Sequence, residues 1–324
     1  MFSGSATDGT LGLEAIKAAG GITFAQDASA RYDSMPRSAI DSGCVDHIMA
    51  PEAVALELVR IAAHPYLRGD LPPLPADSIA DPAFADAAPQ ARSRPKRRLE
   101  GFARIVELAR ERSDVDFSLY KANTIHRRIT RRMVLSGKKS LEDYATFVEA
   151  DAKEFKSLYG DMLINVTSFF RDEAAFTVLK DQIFPPLAAE KRSGPIRMWS
   201  IGCSSGQEAY SLGMAFLEAS EQLADRAPKL QIFGTDLNET LLSKARHGLY
   251  PKSLSEEISP ERLRKFFVEE DGGYRVIKAL REACIFARQD ILGDPPFSRM
   301  DPVSYTHLRA HETKANLVCR LLLE

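Results

Sequence analysis

Three short runs bring together residue types that could do chemistry. Gly202 and Gly206 bracket the turn GCSSG directly after the apolar run from Ile196 to Ile201. A glycine turn in that place lets backbone approach a ligand while the following helix presents free amide groups. A nucleotide or an amino-acid carboxylate suits such a turn. Its GxxxG spacing lacks the third glycine of the dinucleotide fingerprint, which disfavours hydride-transfer cofactors, and a plain strand-to-helix turn is the bland reading. Asp236 closes the next apolar run, where a carboxylate can accept hydrogen bonds from both hydroxyls of a ribose. The same side chain could cap the helix beginning near Glu239. Glu208, two residues past Gly206, offers a carboxylate to a cationic ligand group, or serves as a first-turn glutamate favoured by the helix dipole. Arg171, in NVTSFFRD (Asn165 to Asp172), has a guanidinium whose geometry matches a carboxylate. Pairing with Asp172 or Glu173 is its structural alternative.

These residues need an α/β frame. From Ile196 the pattern runs strand, glycine turn, helix (Gln207 to Glu218) and strand (Leu230 to Gly234), a βαβ unit that implies a parallel sheet. Tyr250 to Cys284 has shorter elements, a helix around Leu263 to Phe267 and the turn Asp271-Gly272-Gly273 before Tyr274 to Ile277, which suggest a small β insertion. Upstream, Leu99 to Leu163 is dominated by helical periodicity, with Leu141, Tyr144, Phe147 and Val148 on one face after Ser140. In that region Arg127, Arg128, Arg131 and Arg132 pair at i,i+4 spacing opposite Ile125, Ile129 and Met133, so the arginines are expected along the outer flank of one helix. A solvated face and a nucleic-acid contact are the alternatives for this cationic ridge.

Residues 68–98 carry six prolines among many Ala and Asp, a linker composition that cannot pack a core. Before it, GLEAIKAAG reads as a helix closed by Gly20 and Gly21, Ile22 to Ala25 and Val45 to Ile48 as strands, and Pro51 as the start of a helix with Val54, Leu56, Leu58, Val59 and Ile61 on its apolar face. That is the tail of an α/β layer.

Of the 324 residues, 44% are hydrophobic and 27% charged, the composition of a folded protein with two or three domains. A formal net charge of -2 implies no nucleic-acid partner globally. Cys44, Cys203, Cys284 and Cys319 lack CxxC spacing, which argues against a zinc site or a disulfide framework and fits a reducing compartment. Neither a spanning apolar run nor a leader pattern is legible, so a cytoplasmic protein without membrane insertion is expected.

NVTSFFRD, GCSSGQEAYS, FGTDLNETLLSKARHGLY and RQDILGDPPF occur in the order and separation of the CheR-type chemotaxis receptor glutamate O-methyltransferases, which residues 99–301 resemble. The resemblance implies a Rossmann-like S-adenosylmethionine-dependent methyltransferase domain (165–301, β insertion about 250–284) behind a small helical domain (99–164). It implies Asn165, Thr167 and Arg171 as cofactor contacts near the reacting methyl group, with Gly202 in the turn. Glu208 and Asp236 would hold the amino-acid and ribose ends, and Asp290 with Ile291 would lie by the adenine. Gln207 stands where the family often has Glu, and Asp290 where it often has Asn. By the same resemblance, Arg127, Arg128, Arg131 and Arg132 would face the acidic methylation region of a receptor. A binding scaffold without turnover is the alternative function.

The segment SGSATDGTLGLEAIKAAGGITFAQD with MPRSAIDSGCVD resembles the C-terminal end of the CheB-type methylesterases over residues 1–67. Asp8 falls on that family's triad aspartate, but the partner Ser and His lie upstream in the family and are not in this chain, so esterase activity is not expected. The whole reads as a fragment of a CheB/CheR fusion. Residues 302–324 resemble translated sequencing-adapter read-through, and His307, His311 and Glu312 there only imitate metal-ligand spacing.

Overall fold

The computed structural model describes residues 1–5, 9–68, 94–113, 115–120, 122–163, 167–191, 193–221, 223, 227–291 and 293–301. Asp8, Asn165 and the tail with His307, His311 and Glu312 lie outside them. The chain divides into two compact units, Met1–Ile164 and Asn165–Glu324.

In the first unit, helix Thr10–Ala18, strand β1 (Phe24–Gln26), helix Ser34–Asp41 and strand β2 (His47–Met49) form a small layer, β1 and β2 pairing in parallel. Helix Pro51–Ala62 follows with proline in its first turn, where the missing N–H costs nothing. Val54 and Ile61 are its buried residues, while Leu56 is 74% and Val59 69% exposed. The expected apolar face is therefore narrower than the composition suggests: positions 54 and 61 share one side, and 56 and 59 fall opposite. Helix Arg94–Ser113 begins inside the proline-rich stretch. Helices Ala122–Leu135, Leu141–Ala150 and Ala152–Met162 then close a core of Ile105, Phe117, Ile125, Ile129, Met133, Leu141, Tyr144 and Leu158, all fully buried. Ser140 Oγ accepts the Asp143 N–H at 3.1 Å, and Asp151 caps the next helix through the N–H groups of Lys153 and Glu154.

The second unit is built on a parallel sheet of β3 (Ile196–Ile201), β4 (Leu230–Asp236) and, later in the chain, Cys284–Arg288, with β4 in the middle. Between them a separate antiparallel sheet consists of β5 (Leu249–Tyr250), β6 (Phe267–Glu270) and β7 (Gly273–Val276), in the order β5-β7-β6. The strand Cys284–Arg288 is thus β8. β3 alternates strictly between buried and half-buried positions, the period-2 pattern of a strand packed on one face. Helix Gln207–Ala219 is buried continuously from Ala209 to Phe216. Its Phe216 meets Phe184 edge to face at 5.6 Å in a core that also holds Met198, Ile232 and Leu280. Among the described residues, no helix is long and apolar enough to cross a membrane.

Candidate functional site

All three strands of the parallel sheet deliver a site residue at their carboxyl ends, the side of an open α/β sheet where ligands bind. β3 runs into Gly202, β4 ends on Asp236, and β8 leads through Gln289 to Asp290. The turn after β3 needs its glycines: Gly202 has φ 67° and Gly206 φ 92°, and a Cβ on Gly206 would stand 2.9 Å from the Ala245 Cβ. Ser204 takes φ 52° between them, a left-handed conformation uncommon outside glycine.

Asp236 organises this edge. Its Oδ2 accepts the Ser204 N–H at 2.8 Å and its Oδ1 accepts the Asn238 N–H at 2.8 Å. The helix starting at Glu239 is capped by Asn238, whose Oδ1 accepts from Thr240 and Leu241, so the capping role belongs to the neighbour. A carboxylate has about four acceptor sites, so beside these amides it keeps capacity for a further donor such as a ligand hydroxyl. Burial raises the Asp236 pKa, against the pull of backbone hydrogen bonds from Asn238, Ser204 and Leu237. Beside it, the buried Ser204 Oγ has no hydrogen-bond partner among the described residues. A carboxylate with spare acceptor capacity and an unsatisfied hydroxyl fit a polyhydroxyl ligand at this edge.

Glu208 stands in the first turn of the helix opened by Gly206, and Ser200, buried at the end of β3, donates its hydroxyl to Glu208 Oε1 at 2.9 Å. Asp290 sits in a tight turn: its N–H donates to Asp294 Oδ2 at 2.8 Å and its carbonyl accepts the Asp294 N–H at 2.7 Å. Ile291, next to it, is half-buried. Gln289 N–H donates to the Asp236 carbonyl at 3.2 Å, joining this turn to the end of β4.

Thr167 is half-buried and Arg171 exposed, on either side of two buried phenylalanines. Phe170 has φ 47°, and its N–H donates at 3.0 Å to Ser211 Oγ, which in turn donates to the Gln207 carbonyl at 2.7 Å. The Phe169 N–H donates to Glu257 at 3.2 Å. The Phe169 ring meets Tyr250 edge to face at 4.9 Å, and the Tyr250 hydroxyl donates to the Ser205 carbonyl at 2.7 Å. Ser211 and Tyr250 thus fasten the Arg171 turn to the glycine turn and its helix. Neither was singled out from sequence, although both lie in the quoted motifs GCSSGQEAYS and FGTDLNETLLSKARHGLY. Asp172 caps the following helix by accepting the Ala175 N–H at 3.2 Å.

The cationic ridge is not where its spacing put it. Arg127 is exposed, but Arg128 and Arg131 are 5% and 4% exposed and Arg132 is half-buried. Arg128 donates to the carbonyls of Lys17, at 2.8 Å, and Ala18; Arg131 donates to Gly21 O at 2.9 Å and pairs with Asp46 and Asp161. Arg132 makes a bidentate pair with Glu154, at 3.0 and 2.6 Å. The outer-flank expectation fails because the segment before residue 68 packs on this helix, a contact that i,i+4 spacing cannot reveal.

Three family models match the chain in order: CheB methylesterase over residues 1–58, the all-alpha domain of the CheR methyltransferases over 100–163, and their SAM binding domain over 165–306. The chain carries both domains of the CheR methyltransferase family. A 104.1 kDa protein encoded in the hypE 3' region of Rhodobacter capsulatus is 37% identical over 317 residues, covering 94% of this chain and 32% of that protein. Chemotaxis protein methyltransferase 1 of Vibrio cholerae is 38% identical over 133 residues, 40% of this chain and 48% of its own length. The chemotaxis protein methyltransferase of Listeria innocua is 32% identical over 180 residues, 56% of this chain and 66% of its own. The chain therefore spans less than two thirds of the length of each of these relatives.

Proposed function

We propose that this chain is the methyltransferase part of a CheB/CheR-type protein that transfers a methyl group from S-adenosylmethionine to glutamate side chains of chemotaxis-type receptors, in the cytoplasm. The observation that carries the reading is the carboxyl edge of the β3-β4-β8 sheet, where the glycine turn, Asp236 with its two amide donors, and the Gln289-Asp290 turn meet. The family match and the names of the relatives supply the reaction class.

Asp236 is assigned to the ribose hydroxyls, Glu208 to the amino-acid end, Gly202 to the turn beneath the ligand, and Asp290 with Ile291 to the adenine. Thr167 and Arg171, with Asn165 outside the described residues, are assigned to the reacting end. S-adenosylmethionine supplies an electrophilic methyl group when bound. A glutamate carboxylate, with pKa about 4.3, is already ionised and nucleophilic at neutral pH, so the protein needs no general base. What remains is alignment of carboxylate oxygen and methyl carbon, which is proximity catalysis. Arg171 is assigned to hold the incoming carboxylate, and Ser211 and Tyr250 act as positioning residues for it. Esterase activity is not part of the proposal.

Calorimetry with S-adenosylhomocysteine tests the site, with NAD as the control ligand. Saturable binding of the first and none of the second is expected. Failure to bind S-adenosylhomocysteine, or equal binding of NAD, overturns the cofactor assignment.

A further inference from the structure

Arg128 and Arg131 find partners 110 to 111 positions away, in the esterase-derived segment of the same compact unit. The contact is reciprocal. Arg128 donates to the carbonyls of Lys17 and Ala18, the last residues of helix Thr10–Ala18. In the other direction, Arg60 Nη2 donates to the carbonyls of Val134 and Leu135, at 3.2 and 3.3 Å, the last residues of the arginine helix Ala122–Leu135. Each segment therefore brings a cation to the carbonyls at the negative end of the other's helix, where Lys17 O and Val134 O also accept the N–H groups of Gly20 and Gly137. His64 Nε2 adds a contact to the Lys138 carbonyl at 2.7 Å, and the Arg127 stem lies against Gly20.

The two buried arginines differ in how well they are matched. Arg131 is held by two carboxylates, Asp46 from the esterase-derived segment and Asp161 from its own helical domain. Arg128 has main-chain carbonyls for hydrogen-bond partners, and its Nε makes no hydrogen bond among the described residues. A buried guanidinium gains more from a bidentate carboxylate than from neutral carbonyls; Asp161 favours the Arg128 charge, but burial and the like charge of Arg127 outweigh it, a cost the joint carries. A partner presenting glutamates along a helix offers Arg128 what the esterase-derived segment does not. If that segment leaves, Arg131 still keeps Asp161.

We infer that residues 9–68 are a displaceable cover on the arginine helix, which an acidic helical segment of the receptor substrate must dislodge to reach Arg128 and Arg131. The inference rests on the receptor reading given under Proposed function. It makes the esterase-derived segment an intramolecular competitor of the substrate, and the fusion a means of adjusting how readily the methyltransferase part engages receptors.

The test uses the full chain with a specific-protease recognition sequence placed within residues 69–93, cut after folding. A fluorescent, helical, glutamate-rich peptide is titrated in while retention of the 1–68 piece on the tagged remainder and peptide anisotropy are followed together. The pieces are expected to stay together after cutting, and the peptide to release the 1–68 piece in step with its own binding. In the uncut chain, Asp46→Lys, which sets an ammonium against Arg131, is expected to tighten peptide binding by about tenfold or more. Peptide binding with the 1–68 piece retained overturns the inference, as does separation of the pieces without peptide, or release by duplex DNA and not by the peptide. No peptide binding to either the cut chain or the Asp46→Lys chain overturns both the cover and receptor docking at this helix. S-adenosylhomocysteine binding by the same samples then reports separately on the methyltransferase reading.

Discussion

Replacing Asp236 by Asn should weaken cofactor binding by about 10- to 100-fold while leaving the fold in place. In the native chain two amide donors approach different oxygens of one carboxylate, Ser204 N–H at Oδ2 and Asn238 N–H at Oδ1, each at 2.8 Å. A carboxamide has one oxygen, so its NH2 must face one of those N–H groups. An unsatisfied buried donor costs about 1–3 kcal/mol. The same oxygen loss removes an acceptor for a ribose hydroxyl, and hydrogen bonds to charged groups contribute about 1.5–3 kcal/mol. The first penalty falls on the free protein as well as the complex, so affinity should drop chiefly by the second, on the order of 10- to 100-fold. The first should appear as a lower melting temperature. Calorimetric titration with S-adenosylhomocysteine reads the affinity and a thermal melt reads the stability. If Asp236→Asn binds within about threefold of the parent, Asp236 does not hold the ribose. The acid limb of binding gives a second reading: because burial raises the Asp236 pKa, affinity should begin to fall at a pH above the ordinary value of 3.8.

Other expectations follow from single contacts. Tyr250→Phe keeps the ring against Phe169 but removes the bond to Ser205 O, and should weaken S-adenosylhomocysteine binding by about 1 kcal/mol, roughly fivefold by calorimetry; unchanged affinity removes Tyr250 from the positioning role. Ser211→Ala strands the Phe170 N–H and should destabilise the chain by about 1–3 kcal/mol in a denaturant titration while raising KM for the receptor more than for the methyl donor; equal effects on both would indicate a purely structural part. In the first unit, burial works against the Asp46 charge, but Arg131 and the hydrogen bonds from Thr23 hold its pKa below 3.8. The folded state therefore binds fewer protons there, so the stability from this pair is full above 3.8 and is lost as pH falls through the depressed folded value. Arg131→Met should remove that acid-limb dependence and cost about 3–5 kcal/mol, seen in pH-dependent melts. Burial pushes the Cys284 thiol up to about 12 and raises those of Cys44 and Cys203, so these three should resist alkylation near neutral pH until the chain is unfolded.

The βαβ unit was legible because its signals are local. An apolar run, glycines that only a positive φ demands, and a following helical period fall within a few positions of one another, and β4 differs from expectation only in running on to Asp236. Ser140 as a cap was legible for the same reason. Asp236 could be read as ligand group or cap, and the structure gives the cap to Asn238. What the sequence hid depends on distant partners. Tyr250 meets Ser205 across 45 positions, and Ser211 meets Phe170 across 41. Arg128 and Arg131 show the limit most clearly: periodicity places them on one side of a helix, but only the fold says that another segment of the chain lies on that side.

Methyl transfer to a glutamate carboxylate is read by incubating the chain with methyl-labelled S-adenosylmethionine and a helical receptor segment and mapping the label by mass spectrometry. A base-labile methyl ester on glutamate is expected, lost with Arg171→Ala while S-adenosylhomocysteine still binds. Measurable cofactor binding with no ester formed would contradict methyl transfer and leave a binding scaffold without turnover.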